Sequence, residues 1–207
     1  MKKQIRLLIE NLFDDEFNNI YNDTDLDTDI TDEYMGYSVG DIVYENKKPY
    51  AICCGDKKDF KDKQQRFCLY KQYKYKLQWR NKNINKVIKQ IEPGFYKLIN
   101  SNDRQYIDEN GYGNTIFIKN NFNISDFPVF KYCCKFGDNV YIPAIDELSV
   151  WYLNREKIKY INKSITWYWS STSCSNCTVY GLNLIDSYIS NFRTFDVMFV
   201  NLFVKIK

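Results

Sequence analysis

The stretch "VMFVNLFVKIK", residues 197–207, constrains the fold more than any other. Met198, Val200, Leu202, Val204 and Ile206 alternate with Phe199, Asn201, Phe203, Lys205 and Lys207. A period of two belongs to an extended strand with two faces. Further strands are expected upstream. In "YSVGDIVYENKKPYAICC", Ile42 to Tyr44 is a β-rich run, "ENKK" turns, and Tyr50 to Cys54 returns, so a hairpin is predicted. "RFCLYKQYKYKLQW" reads as one more extended run with Lys and Tyr interleaved.

Helical signals lie between these strands. "DFPVFKYCCKFG" has Asp126 near an N-cap, Pro128 in the first turn and Gly137 past the end. "PAIDELSVWYLNREKI" starts at Pro143, with Asp146 and Glu147 where acids suit the helix dipole. Its Ile145, Leu148 and Tyr152 share one stripe. Asn85 to Ile91 reads as a short helix stopped by Pro93-Gly94, and "DENGYGN", Asp108 to Asn114, reads as a turn. Helices between an early hairpin and late strands give an α+β class.

Residues 4–20 predict a further helix, with Ile5, Leu8, Ile9, Leu12, Phe13, Phe17 and Ile20 on one face. "NDTDLDTDITDE", Asn22 to Glu33, follows as a charged linker. Its alternating Asp residues suggest calcium, but the Gly and the terminal Glu of an EF-hand loop are not at the required spacing. Residues 1–37 carry three basic and ten acidic side chains, a net of −7. Residues 57–90 carry twelve Lys and Arg against Asp59 and Asp62, a net of +10. An acidic arm on a basic body is the expected arrangement.

Composition removes several chemistries. The 207 residues contain no histidine, which excludes Ser-His-Asp and Cys-His catalysis and any imidazole-bound zinc. The chain is 44% hydrophobic and 17% aromatic, enough for a core. "MKKQIRLLIENLFDDEF" starts basic, but its apolar run is only "LLI", so no export signal or membrane span is expected. The seven cysteines include the adjacent pairs Cys53-Cys54 and Cys133-Cys134, a poor disulfide framework. Buried thiols in a reduced compartment are expected.

Several motifs resemble one family. "NGYGNT" (110–115), "FPVFKYC" (127–133), "YIPAIDEL" (141–148), "YWSST" (168–172) and the alternating run occur in the order seen in the Lcl C-terminal domain family, also known as the Fibrobacter-type paralogous domain. That family is similar to the C-type-lectin-like fold, shared with formylglycine-generating enzymes and phage receptor-binding proteins. The resemblance implies a compact α+β domain that binds surfaces more often than it catalyses. It marks Pro143, Asp146, Glu147, Leu148, Tyr168, Trp169, Ser170, Ser171 and Thr172 as fold markers. This sequence departs from the family pattern at Val140-Tyr141, at "IDSYIS" and at Lys205. The expected organisation is a docking helix and acidic linker over 1–36, then a C-type-lectin-like domain over 37–207 with two helices and mixed antiparallel sheets.

Three further places invite a functional reading. In "ITWYWSSTSCSNCTVYGLNL", Trp167 and Trp169 fall on one face of a strand and Tyr168 on the other. Ser170 and Ser171 have no histidine base, so they are read as hydroxyls satisfying backbone groups. Cys174 and Cys177 supply half of a zinc-site spacing, with no second Cys-x-x-Cys to match. In the basic strip, Lys71, Lys74 and Lys76 interleave with Tyr73, Tyr75 and Trp79. That pattern suits a polyanion held by charge and stacking, or a strand with aromatics inward and lysines outward. Ile5, Leu8, Ile9, Leu12, Phe13 and Phe17 form the docking face of the arm.

The reading that joins these features is a non-enzymatic binding or structural module without cofactor or metal. A surface-binding fold made without an export signal suggests a bacteriophage virion component, such as a capsid fibre, tail or host-surface-binding protein. Its partners would be other virion subunits through the arm, a host glycan or protein, and further copies of itself. The alternatives are a cytoplasmic nucleic-acid-associated protein using residues 57–90, and an enzyme of the formylglycine-generating kind.

Overall fold

The computed structural model describes residues 36–71, 75–81, 108–158, 166–174 and 178–206. The expected hairpin is present as β1 (Ile42–Glu45) and β2 (Lys48–Gly55), antiparallel, with Glu45 opposite Lys48. Asn46 and Lys47 make the turn with φ of 51° and 62°. Two left-handed residues match the twist that such a hairpin needs, and Asn tolerates that region well.

The run from Arg66 to Trp79, expected as one extended segment, is instead two strands in different sheets. They are β3 (Arg66–Leu69) and β4 (Lys76–Gln78). The stretch expected as a turn, Asp108 to Asn114, instead opens a helix, α1 (Gly111–Asn121). Asn110 caps it, its side-chain oxygen accepting from the Gly113 N–H at 2.9 Å. Glycine weakens a helix interior by about 1 kcal/mol relative to alanine, but at Gly111 close packing requires it. A Cβ there would meet Ala144 N at 2.5 Å and Ile142 O at 2.6 Å. Helix α2 (Pro128–Cys133) has proline in its first turn and tightens into a 3₁₀ turn, Cys134–Phe136. It stops at Gly137, whose φ is 123°.

After β5 (Val140–Tyr141) comes α3 (Ile145–Leu153), which starts two residues later than Pro143. Its Ala144 N-cap has no side-chain oxygen, so Glu147 alone supplies the cap, accepting from Ala144 N at 2.9 Å. The remaining strands are β6 (Trp167–Ser173), β7 (Thr178–Asn183), β8 (Ile189–Arg193), β9 (Val197–Phe199) and β10 (Phe203–Val204). One sheet has the order β1-β2-β3-β10-β5 and the other β4-β9-β6-β7-β8. Two five-stranded sheets and three α-helices among the described residues make an α+β protein with one helix more than expected. Pairing is antiparallel except between β6 and β9.

The predicted alternation of residues 198–206 survives, but not as one strand. β9 lies in the second sheet and β10 in the first, with Val200–Leu202 crossing between them. Met198, Val200, Leu202 and Val204 enter a core shared with Trp79, Phe127, Phe130 and Trp169. Phe203 enters the other, with Leu148, Trp151, Tyr168 and Leu182, and Phe199 packs against it. Period two therefore feeds two cores from one segment. Among the described residues no helix is long and apolar enough to cross a membrane.

Candidate functional site

Of the fold-marker residues, Glu147 is buried at a point where several elements meet. Its Oε1 accepts from Arg66 Nε at 2.5 Å and from the Tyr141 hydroxyl at 3.3 Å. Its Oε2 accepts from Ala144 N at 2.9 Å and Gly111 N at 3.2 Å. One carboxylate thus ties β3, β5, α1 and the start of α3. Arg66 is fully engaged in turn, by Asp62 at 2.8 Å, Gln64 O at 3.0 Å and Glu109 O at 2.9 Å. Burial lifts the Glu147 carboxyl to about 7, and Arg66 opposes that rise. Four donors converge on the two Glu147 oxygens, which favours the carboxylate form against that burial. Burial works against the Arg66 charge, and Glu147 and Asp62 outweigh it, holding the guanidinium charged.

A second hub lies beside it. Asp108 Oδ2 accepts from Thr172 Oγ1 and Asn114 Nδ2, both at 2.7 Å. Thr172 Oγ1 accepts from Ile145 N at 2.9 Å, and Ser171 Oγ accepts from Asn114 at 3.0 Å. The Pro143 carbonyl accepts from Ser171 N at 2.8 Å. Asp146 Oδ2 accepts from Asp108 N at 3.1 Å. Burial pushes the Asp146 carboxyl up to about 7. Ser170 donates to Tyr180 O at 2.7 Å. Leu148 and Trp169 are wholly buried and Tyr168 nearly so. These side chains hold α1, α3 and β6 together. The hydroxyls of Ser170 and Ser171 are buried and committed to those contacts.

The basic strip is not a continuous stacking face. Trp79 is 2% exposed, its Nε1 donates to Ser170 O at 3.1 Å, and its ring meets Phe127 and Phe130 edge-on. It belongs to the core, just past the end of β4, and it cannot stack on a ligand. Lys76 lies 4.8 Å from the Phe199 ring centre. Tyr75 is exposed and rests 5.1 Å from Tyr132, and Lys71 is exposed. Tyr73 and Lys74 lie outside the described residues, as do Asn85 to Ile91 and the arm positions Ile5, Leu8, Ile9, Leu12, Phe13 and Phe17. Cys177 is also outside them. Cys174 is half-buried, its sulfur 3.6 Å from Asn191 Nδ2. Among the described residues no group of three or more His, Cys, Asp or Glu could hold a metal ion.

The surface feature that the sequence did not single out is an aromatic ledge on the second sheet. Trp167 and Trp169 share one face of β6, as expected, with Tyr168 on the other. From the buried Trp169 the aromatics step outward. Phe192 on β8 lies 6.3 Å from Trp169 and 4.6 Å from Trp167, and Trp167 lies 6.3 Å from Tyr188. Trp167 and Phe192 are half-buried, while Tyr188 is 60% and Ile185 66% exposed. Polar clamps fix the turn that carries them. Tyr188 N donates to Asp186 at 3.1 Å, Ile185 N to Asn183 at 2.9 Å, and Asn183 N to Tyr188 O at 2.9 Å. A large aromatic held by its own turn offers contact area with little entropy left to lose. β8 is the outer strand of its sheet, so the ledge lies at a rim.

No family model matches the chain, and no curated protein matches it. A solved structure is similar to it: a fimbrial protein from Bacteroides ovatus ATCC 8483, with a TM-score of 0.56 and 14% identity. The likeness covers 82% of this chain and 49% of that one, so this chain spans about half the length of the fimbrial protein. At this identity the likeness concerns the fold alone.

Proposed function

We propose that this protein is a non-enzymatic surface-binding or structural module, and that Trp167 and Tyr188 contact its ligand. The observation that carries the reading is the ledge itself: an exposed Tyr backed by a half-buried Trp, on a clamped turn at a sheet rim. Exposed rigid aromatics with apolar company are the usual anchors of a recognition surface. The fold likeness to a fimbrial protein supports an adhesion class. The resemblance to the Lcl C-terminal domain family points the same way, with its implied C-type-lectin-like fold. Tyr188 and Phe192 fall within residues 171–195, which with 154–164 is where a fold of that kind presents contact loops; Trp167 lies between the two stretches.

The finer reading is a bacteriophage virion component, tethered through residues 1–36 and facing a host glycan or protein. Binding to immobilised bacterial surface polysaccharide tests the core of the proposal. Tyr188→Ala and Trp167→Ala each weaken capture about tenfold, the effect of losing roughly 1.4 kcal/mol, while Tyr188→Ala leaves Tm within a degree. Capture that both variants retain at full strength removes the ledge from the function. The nucleic-acid alternative predicts salt-sensitive retention of a single-stranded oligonucleotide. The burial of Trp79 disfavours it, since the strip loses its strongest stacking group.

A further inference from the structure

Two arginines are buried among the described residues, and they are treated very differently. Arg66, at 6% exposure, is met by Glu147, Asp62, Gln64 and Glu109, and lies 4.3 Å from the Phe60 ring centre. Arg80, at 8% exposure, has Nε and Nη1 buried without an acceptor among the described residues. A guanidinium carries five N–H donors and keeps its charge under all ordinary conditions. An unpaired buried cation is among the most unfavourable arrangements a fold can hold.

The backbone around Arg80 is held firmly. Arg80 N donates to Thr194 O at 2.8 Å, and the Gln78 amide donates to Phe195 O at 2.9 Å. On the other side Asn81 N donates to Asp126 O at 2.9 Å, and Asn81 Nδ2 to Ser125 O at 3.0 Å. Asp126 thus lends its carbonyl to the neighbouring residue, and no ion pair joins it to Arg80. The backbone of Arg80 is thus fixed between the β8–β9 turn and the residues before α2, and its Nε and Nη1 are left as buried donors without an acceptor among the described residues. That is a preorganised donor set.

We infer that Arg80 is the recognition point for a single oxyanion, the carboxylate of an acidic saccharide. The saccharide source rests on the adhesion reading above; the anion site does not. One cation suits one charged group rather than a phosphate track. Trp79 beside it is packed away, and Lys76 sits over Phe199. The ledge and Arg80 lie toward opposite ends of β8. Six residue steps separate Tyr188 from Thr194, about 20 Å along an extended strand. A monosaccharide cannot touch both places, so it reads Arg80 alone.

The test is thermal unfolding of the full chain with sodium glucuronate, glucose or inorganic phosphate, at matched ionic strength. Glucuronate at about ten times its Kd raises the folding constant about elevenfold, or Tm by about 3–6 °C for a chain of this size. Glucose produces no rise. Arg80→Gln removes the glucuronate effect. Arg80→Lys, which keeps charge but loses the planar donor geometry, moves the titration midpoint about tenfold higher, and so serves even where the Gln variant does not fold. Equal Tm in glucuronate and glucose, or an unchanged midpoint in Arg80→Lys, overturns the inference. Protection by phosphate through Arg80 without protection by glucuronate overturns the saccharide assignment. Loss of polysaccharide capture in the ledge variants, with glucuronate protection intact, would leave this site standing by itself.

Discussion

Asp146 and Glu147 are consecutive acids that a sequence places at a helix start, where their charge suits the dipole. The structure gives them different work. Glu147 points inward and draws donors from several elements, while Asp146 holds Asp108, three residues ahead of α1, by its backbone N–H. The Asp146 pKa is raised to about 7 by burial, well above its ordinary value of 3.8. The sign of the linkage follows. A carboxyl that binds its proton more tightly when folded adds stability that is fully present below its unfolded pKa, near 4, and lost as pH rises toward about 7. Asp62 runs the other way, because Arg66 outweighs burial and lowers its pKa, so a single chain shows both slopes. The informative quantity is therefore a difference. Between pH 5 and 8, the Tm of the native chain minus that of Asp146→Asn falls as pH rises, since the amide accepts the same bond but does not titrate. A flat difference would mean that Asp146 ionises as it does in the unfolded chain.

At the scale of elements, what was legible in the sequence was whatever a local period or a turn residue encodes. The β1–β2 hairpin, α2 and α3 could be read from alternation, Pro128 and the Ile145–Leu148–Tyr152 stripe. Helix α1 could not. Its glycines argue for a turn, and the reason for Gly111 is the approach of Ala144 and Ile142 from another part of the chain. The break between β3 and β4 was hidden for a similar reason, since Lys and Tyr recur across it with only Gln72 between. The fold markers were legible as a pattern, but Arg66, the partner that Glu147 requires, was not. A buried acid in an apolar stripe was the one available hint. The ledge was half legible: the shared face of Trp167 and Trp169 was read, while Phe192 and Tyr188 arrive through β7–β8 pairing. Gly181 shows how closely these layers meet. A Cβ there would lie 2.8 Å from Met198 Cε and 3.2 Å from Phe192 Cδ2. Gly181→Ala therefore destabilises by about 1–3 kcal/mol, the usual range for overpacking, seen as a lower urea midpoint with unchanged m. A midpoint equal to that of the native chain would mean that Met198 yields without strain.

At the scale of the whole molecule, the sequence divides into an acidic stretch over 1–36 and a basic body over 37–207. Light scattering with size-exclusion chromatography on the full chain and on a chain starting at Tyr37 tests what that division does. The expected outcome is a folded monomer for the shorter chain, with Tm within about 2 °C of the full chain, and a discrete oligomer or a partner-dependent species for the longer one. A shorter chain that does not fold would make residues 1–36 part of the core.

The crossing at Val200–Leu202 bears on how this protein is made. β9 sits between β4 and β6, and β10 between β3 and β5, so one late segment supplies an interior strand to each sheet. Everything before residue 197 emerges from the ribosome with a gap in both sheets and with two cores open to water. Pairing between strands far apart in sequence is slow, because loop closure must precede the contacts that reward it. Neither sheet can close until residues 197–204 are in place, and the two then close together, like a zip with one slider.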